Sequence, residues 1–200
     1  MKKLLLNIIP ILILVSCSKS VDSNDNYEFY IDDNSKIAAE IIDQQLSIKF
    51  NPPKGWNFQS AELSKKIESR TKGIDPTQKN FSYKPVYLFF NDSTGSLMSI
   101  GLIDYPDSSM SLLNKLNQYK NLISNKYIKD QLVIGNFIKS KINFTQFKTE
   151  KENLVNYKIV FHNDVNGIVL FDCTMQKKNI ASEHNYFKAT VNTIENIIVK

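Results

Sequence analysis

Cysteine, glycine and histidine are scarce in this 200-residue chain, and each scarcity removes a class of chemistry. The two cysteines, Cys17 and Cys173, and the two histidines, His162 and His184, do not cluster. Zinc takes three or four ligands with closely spaced His or Cys among them, so no metal is expected, nor any other cofactor. The six glycines are scattered, and none falls in a GxGxxG or GxxxxGK pattern that would cradle a phosphate. Ser96, Ser99 and Ser111 lack the GxSxG context of a nucleophile elbow. No block of like charge occurs. The formal charge of +5 includes Lys2 and Lys3, and without them the chain carries about +3, a solvated lysine surface and not a nucleic-acid footprint.

What is present begins at the amino terminus, MKKLLLNIIPILILVSCSKS. Lys2 and Lys3 form a positive region, and Leu4 to Val15 an apolar core interrupted only by Asn7 and Pro10. This run is shorter than the roughly 20 residues that a spanning helix needs, and it ends as a cleaved signal does. Leu14-Val15-Ser16-Cys17 resembles a bacterial lipobox. The resemblance implies a signal peptide over 1–16, cleavage between Ser16 and Cys17, and lipid on the Cys17 thiol. Each buried methylene contributes about 0.8 kcal/mol, so a multiply acylated cysteine holds firmly to a membrane. Ser18 follows the cysteine where enterobacterial lipoproteins retained at the inner membrane carry Asp, which favours the outer membrane. With Cys17 lipidated, Cys173 has no disulfide partner.

Residues 17–26, small and polar, suit a flexible tether. The rest, 27–200, has the size and average composition of a single α+β globular domain. Tyr27, Phe29 and Ile31 alternate like a strand, whereas Ile37 and Ile41 suggest a helical turn after Asn34-Ser35. Leu46, Ile48 and Phe50 alternate as a half-buried strand that Pro52-Pro53 stop, and Lys54-Gly55-Trp56 turns the chain. A helix is expected from Ser60 to about Lys72. Val86 to Asn91 and Leu97 to Tyr105 read as a hairpin. Asp107 or Ser108 starts an amphipathic helix to about Lys126, with Leu112, Leu116, Tyr119 and Ile123 on one face.

The second half is strand-rich. Ile138 to Phe147 reads as one strand, with Lys139 and Lys141 opposite Ile142 and Phe144. Tyr157 to His162 and Ile168 to Gln176 read as a hairpin. A three-residue loop with Gly167 at positive φ puts Tyr157, Ile159, Phe161, Val169, Phe171, Cys173 and Met175 on one core face. A helix from about Glu183 closes the chain, with Phe187, Val191, Ile194 and Ile198 facing inward.

Hairpins interrupted by helices describe an α+β layered domain. The order of strand, Phe50-Asn51-Pro52-Pro53-Lys54-Gly55-Trp56, helix, two strands, helix, strands and closing helix resembles the PsbP/Mog1-like fold over roughly residues 43 to 200. The resemblance implies an antiparallel β-sheet flanked by helices in an α/β/α sandwich. It also implies accessory, assembly or protein-binding roles in place of a conserved reaction. The metal and photosystem contacts of plant members have no matching motif.

The candidate sites are few. Cys173 and His162 fall on opposite faces of their hairpin, which argues against a Cys–His pair. His162, Asp164 and Asp172 are too few for zinc, and His184 is expected at the surface. Asn91-Asp92-Ser93 resembles part of a calcium loop without its carboxylates. Trp56 reads as a core plug. Lys139, Lys141 and Lys158 are the candidate partner-binding surface, lining one sheet face. Together these readings lead to a membrane-anchored, non-catalytic accessory, assembly or protein-binding domain in the cell envelope, periplasmic or surface-facing. Its expected partners are the membrane, through its lipid, and an unidentified protein. The alternative is a carrier of an apolar ligand or lipid, with Tyr87, Phe89, Phe90, Phe161 and Phe171 lining a cavity. A hydrolase using Cys173 is a remote third.

Overall fold

A computed structural model describes residues 29–59, 63, 81–105, 109–127, 131–163 and 167–197. The signal peptide, Ser16, Cys17, the tether, Tyr27, Ile198 and the helix expected over 60–72 (apart from Leu63) lie outside these residues. Strands β1 (Ile41–Asp43) and β2 (Ile48–Phe50) pair with the late β10 (Glu195–Asn196) in a small antiparallel sheet. The main sheet is built from β3 (Asn57–Phe58), β4 (Ser82–Asn91), β5 (Ser96–Asp104), β6 (Leu132–Lys139), β7 (Ile142–Lys151), β8 (Leu154–Asn163) and β9 (Gly167–Gln176). Its spatial order is β3-β4-β5-β9-β8-β7-β6, every neighbouring pair antiparallel. Two α-helices accompany it among the described residues, α1 (Leu112–Lys126) and α2 (Ile180–Asn192). The fold is mixed α+β and dominated by its sheets.

Side chains of a strand alternate between faces, so each register pair assigns residues to one side. On the first face, Met98, Ile100, Tyr157, Ile159, Phe161, Val169, Phe171, Cys173 and Met175 pack with Phe187 and Val191 of α2 and with Leu46, Ile48 and Phe50. On the second, Phe147, Val160, Ile168 and Leu170 pack with Leu116, Tyr119 and Ile123 of α1. A one-residue slip of β9 against β8 would turn Val169, Phe171, Cys173 and Met175 out of the first core, so burial pins the register. The core face expected for this hairpin is therefore the observed one. Its loop sits a little earlier than expected: Asn163 pairs with Gly167, which opens β9 at φ 114°.

Five expectations need correction. The strand drawn from Ile138 to Phe147 is two strands, because Ser140 and Lys141 adopt φ of 48° and 65° and turn the chain between β6 and β7. These are the paired positive values of a type I′ hairpin turn, which Asn-Gly usually signals and Ser-Lys does not. After Asn34–Lys36, a single 3-10 turn capped by the Asp33 carboxylate, Ile37 bridges to Pro53 and Ile41 enters β1, so no longer helix forms. The segment from Phe29 to Ile31 is not a strand, and Ile31 instead donates its amide to the Lys188 carbonyl. Helix α2 runs from Ile180 to Asn192, so Ile194 is buried beyond its end, at the approach to β10. The helix ending at Lys126 begins later than expected, where the Ser111 hydroxyl caps it by accepting from the Asn114 amide.

Candidate functional site

Among the described residues, strand β6 is the last strand of the main sheet. Lys139 and Ile142 flank its two-residue turn, so they form the hydrogen-bonded pair that closes the hairpin. Val133, Gly135, Phe137 and Lys139 therefore bond inward to β7, and the amides and carbonyls of Leu132, Ile134, Asn136 and Ile138 point away from the sheet. Natural edges are blunted by proline, inward charge, bulges or shortness. None of these guards the eight residues of β6, LVIGNFIK, whose one charge is the terminal Lys139. Val133 and Ile134 are each 46% exposed and Ile138 is 70% exposed. At the opposite edge, among the described residues, β3 is two residues long and pairs with only Phe89 and Phe90 of β4.

Beside Val133 on the first face lies a groove of about 310 Å³, lined by Gln131, Val133, Lys148, Glu150, Glu152 and Lys177. The Glu150 carboxylate accepts from Lys148 at 2.8 Å and pairs with Lys177 at 3.2 Å. Hydrogen bonds from these two ammonium groups hold its carboxyl below the usual range. His184 stacks on Tyr157 with ring centres 4.6 Å apart. Burial, then the charges of Lys188 and Lys148, push the imidazole down to about 4, so it is a half-buried neutral ring and not the surface residue expected. Phe29 lies over Gly135, where a Cβ would come within 2.3 Å of the ring, and stacks on Phe137 at 4.5 Å. Gly135 is thus the socket in which the amino-terminal segment sits against β6.

The three lysines expected on one surface are dispersed. Lys139 ends β6 on the first face, its ammonium 6.0 Å from the Tyr30 ring centre, with burial lowering its pKa. Lys141 is a turn residue. Lys158 is on the second face and forms an ion pair with Asp172, its side chain 11% exposed and that of Asp172 23%. Burial works against the Lys158 charge, but Asp172 outweighs it and holds the pKa above its ordinary range. Asn156 donates to Asp172 and, at 2.9 Å, to Thr174. One cross-strand position away, the Tyr83 hydroxyl meets Ser99 at 2.6 Å. Lys158 is part of this internal polar cluster beside α1.

The remaining candidates are dispersed among the described residues. Cys173 is fully buried, and burial, helped by Asp172 and Glu183, pushes its thiol well above the usual range. It lies across the sheet from His162. Asp164 lies outside the described residues, and among those described no group of three His, Cys, Asp or Glu could hold a metal ion. Asn91 caps its own turn through Ser93 and donates at 3.0 Å to the buried Glu183. Trp56 is 7% exposed beside the Gly55 turn. The aromatic side chains meet edge to face: Phe50 meets Phe171 at 5.6 Å and Phe89 at 6.5 Å, and Phe161 meets Phe144 at 4.8 Å. Phe90 pairs with Leu97, in the register opposite to that of Phe89 and Met98, and so points to the other face. Among the described residues no helix is long and apolar enough to cross a membrane.

The open edge is hidden in the sequence because the turn that creates it carries no glycine or asparagine. The β-rich run LVIGNFIK is the available signal. No protein-family model matches the chain. No curated protein matches it either. Among solved structures, it is similar to the solution structure of cyanobacterial PsbP (CyanoP) from Synechocystis sp. PCC 6803, at a TM-score of 0.48 and 10% sequence identity, covering 80% of this chain and 93% of that one.

Proposed function

We propose that the protein is a lipid-anchored protein of the bacterial cell envelope whose domain is a non-catalytic accessory or assembly module. In this reading Cys17 carries the lipid, and the domain is a PsbP/Mog1-like α/β/α sandwich that binds a protein partner along β6. The observation that carries it is the unguarded edge: four outward pairs of backbone donors and acceptors, flanked by exposed Val133, Ile134 and Ile138. Strand addition uses such an edge for affinity and the neighbouring side chains for selectivity. The complete lipobox supports the tether.

The test is photocrosslinking in the cell that makes the protein, with a photoreactive residue at Ile138 and a control at Asn117 on the solvent face of α1. A discrete adduct from position 138, absent from 117 and lost in Cys17→Ala, is the expected result. Adducts of equal yield from both positions would overturn the docking edge. Full membrane association of Cys17→Ala would overturn the anchor.

A further inference from the structure

We infer that β6 pairs with β6 of a second copy, in an antiparallel, two-fold arrangement centred on Asn136. The inference rests on the reading of β6 as the docking edge and names its occupant.

The backbone restricts the pairing sharply. Outward hydrogen-bonding groups belong only to Leu132, Ile134, Asn136 and Ile138, so each must stand opposite an outward-bonding residue of the other copy. Those four share the second face, so a regular antiparallel pair continues the second face of one copy into the second face of the other. The two-fold axis must then be perpendicular to the sheet. Two central registers satisfy this condition. Centring on Gly135 sets Ile134 against Asn136 of the other copy, an apolar group against a polar one. Centring on Asn136 sets Ile134 against Ile138 of the second copy, twice, and covers two of the most exposed apolar side chains of the strand. Asn136 then meets its own counterpart. Its Oδ1 already accepts from the Thr145 hydroxyl at 2.7 Å and keeps a second lone pair that can accept from the Nδ2 of the counterpart. Lys139 faces Val133 of the other copy, so no like charges meet.

The amino terminus fits the same symmetry. Phe29 sits on the first face over Gly135. A two-fold axis perpendicular to the sheet keeps both first faces, and with them both Phe29 residues, on one side. From Phe29 back to Cys17 is twelve residues, a reach of at most about 40 Å. Two lipids can therefore enter one leaflet, and co-tethering raises the effective concentration of one edge for the other.

The test uses the full chain in the membranes of the cell that makes it, with Asn136→Cys under mild oxidation. In the proposed register the two Cα atoms lie about 5.5 Å apart, within disulfide reach. A disulfide-linked dimer is expected. Ile134→Cys alone should give none, whereas Ile134→Cys mixed with Ile138→Cys should crosslink. As a second measurement, Ile138→Lys should weaken self-association of the full chain in detergent at least tenfold by sedimentation equilibrium. Equal dimer yield from Ile134→Cys and Asn136→Cys would overturn the register. A monomer at every concentration, with the Asn136→Cys thiol captured by a different protein, would overturn self-pairing but leave the docking edge standing. No crosslink from a folded Asn136→Cys chain to anything would overturn both.

Discussion

Removing the Asp172 carboxylate tests whether Lys158 is an internal structural charge. In Asp172→Leu the Lys158 ammonium keeps its largely buried position, 11% exposed, and loses its counter-charge. Leaving one member of a buried pair uncompensated costs about 3–5 kcal/mol. The Asp172 side chain is 23% exposed, so water can enter its place and the lower end, about 3 kcal/mol, is expected. With a urea m-value of about 2 kcal/mol/M, the midpoint should fall by roughly 1.5 M, read by circular dichroism at pH 7. Replacing both partners, Lys158→Met with Asp172→Leu, removes the stranded charge and should return stability to within about 1 kcal/mol of the unaltered chain. Asp172 holds the Lys158 pKa above its ordinary value. The pair's contribution is thus whole below about pH 10.4 and is lost as pH rises through the higher folded value. The cost of Asp172→Leu should therefore be constant from pH 7 to 9 and shrink above that range. A single-mutant cost under about 1 kcal/mol, or a double mutant no better than the single, would refute a buried pair.

Three more perturbations probe other parts of the structure. His184 is pushed down to about 4 in the fold, so its contribution is present above the unfolded value near 6.5 and is lost as pH falls toward 4. Discounted for solvent access, this amounts to roughly 2 kcal/mol. His184→Phe should flatten that slope in urea titrations between pH 7 and 4.5, and an unchanged slope would remove His184 as its source. Ser140→Asn with Lys141→Gly relieves two non-glycine positive-φ residues and should stabilise by about 1–2 kcal/mol, raising the melting temperature by several degrees. No change there would mean the turn is unstrained. Gly135→Val occupies the Phe29 socket and should expose the Phe29–Ile31 segment to faster amide exchange, with about 1 kcal/mol lost overall. Unchanged exchange would show that the seat is dispensable.

The elements legible in sequence are those whose burial pattern is local. Leu116, Tyr119 and Ile123 mark one face of α1 by spacing alone, and all three are buried. Alternation along β8 and β9 assigns Tyr157 through Met175 to the observed core face, because one large sheet buries that face continuously. The failures arise where a distant contact or an unusual backbone decides. The inward spacing of Phe187, Val191 and Ile194 continues past the helix end, and pairing of β10 with β2 overrides it. Lys158 alternates like a wet-side residue, and nothing adjacent announces that Asp172 waits on the next strand. Ser140 and Lys141 disfavour positive φ, yet the packing of Phe144 and Phe147 on opposite faces holds the turn in place. One missed turn converts two strands into one and hides the edge between them.

That edge also bears on why an unguarded strand persists. Eight residues without proline, bulge or inward charge invite runaway association, and most exposed edges carry some defence. A heterologous contact would leave a fresh edge after every addition. An isologous pair consumes both copies of β6 at once and closes. Among the described residues, what then lies at each end of the joined sheet is the two-residue β3, which pairs with only Phe89 and Phe90 of β4, and the rest of β4, which carries Pro85. The two edges differ in the way a closed two-fold assembly requires: β6 carries no proline, whereas the far edge combines a two-residue strand with Pro85 of β4. Blocking β6 by Ile138→Lys should therefore leave the full chain monomeric in detergent.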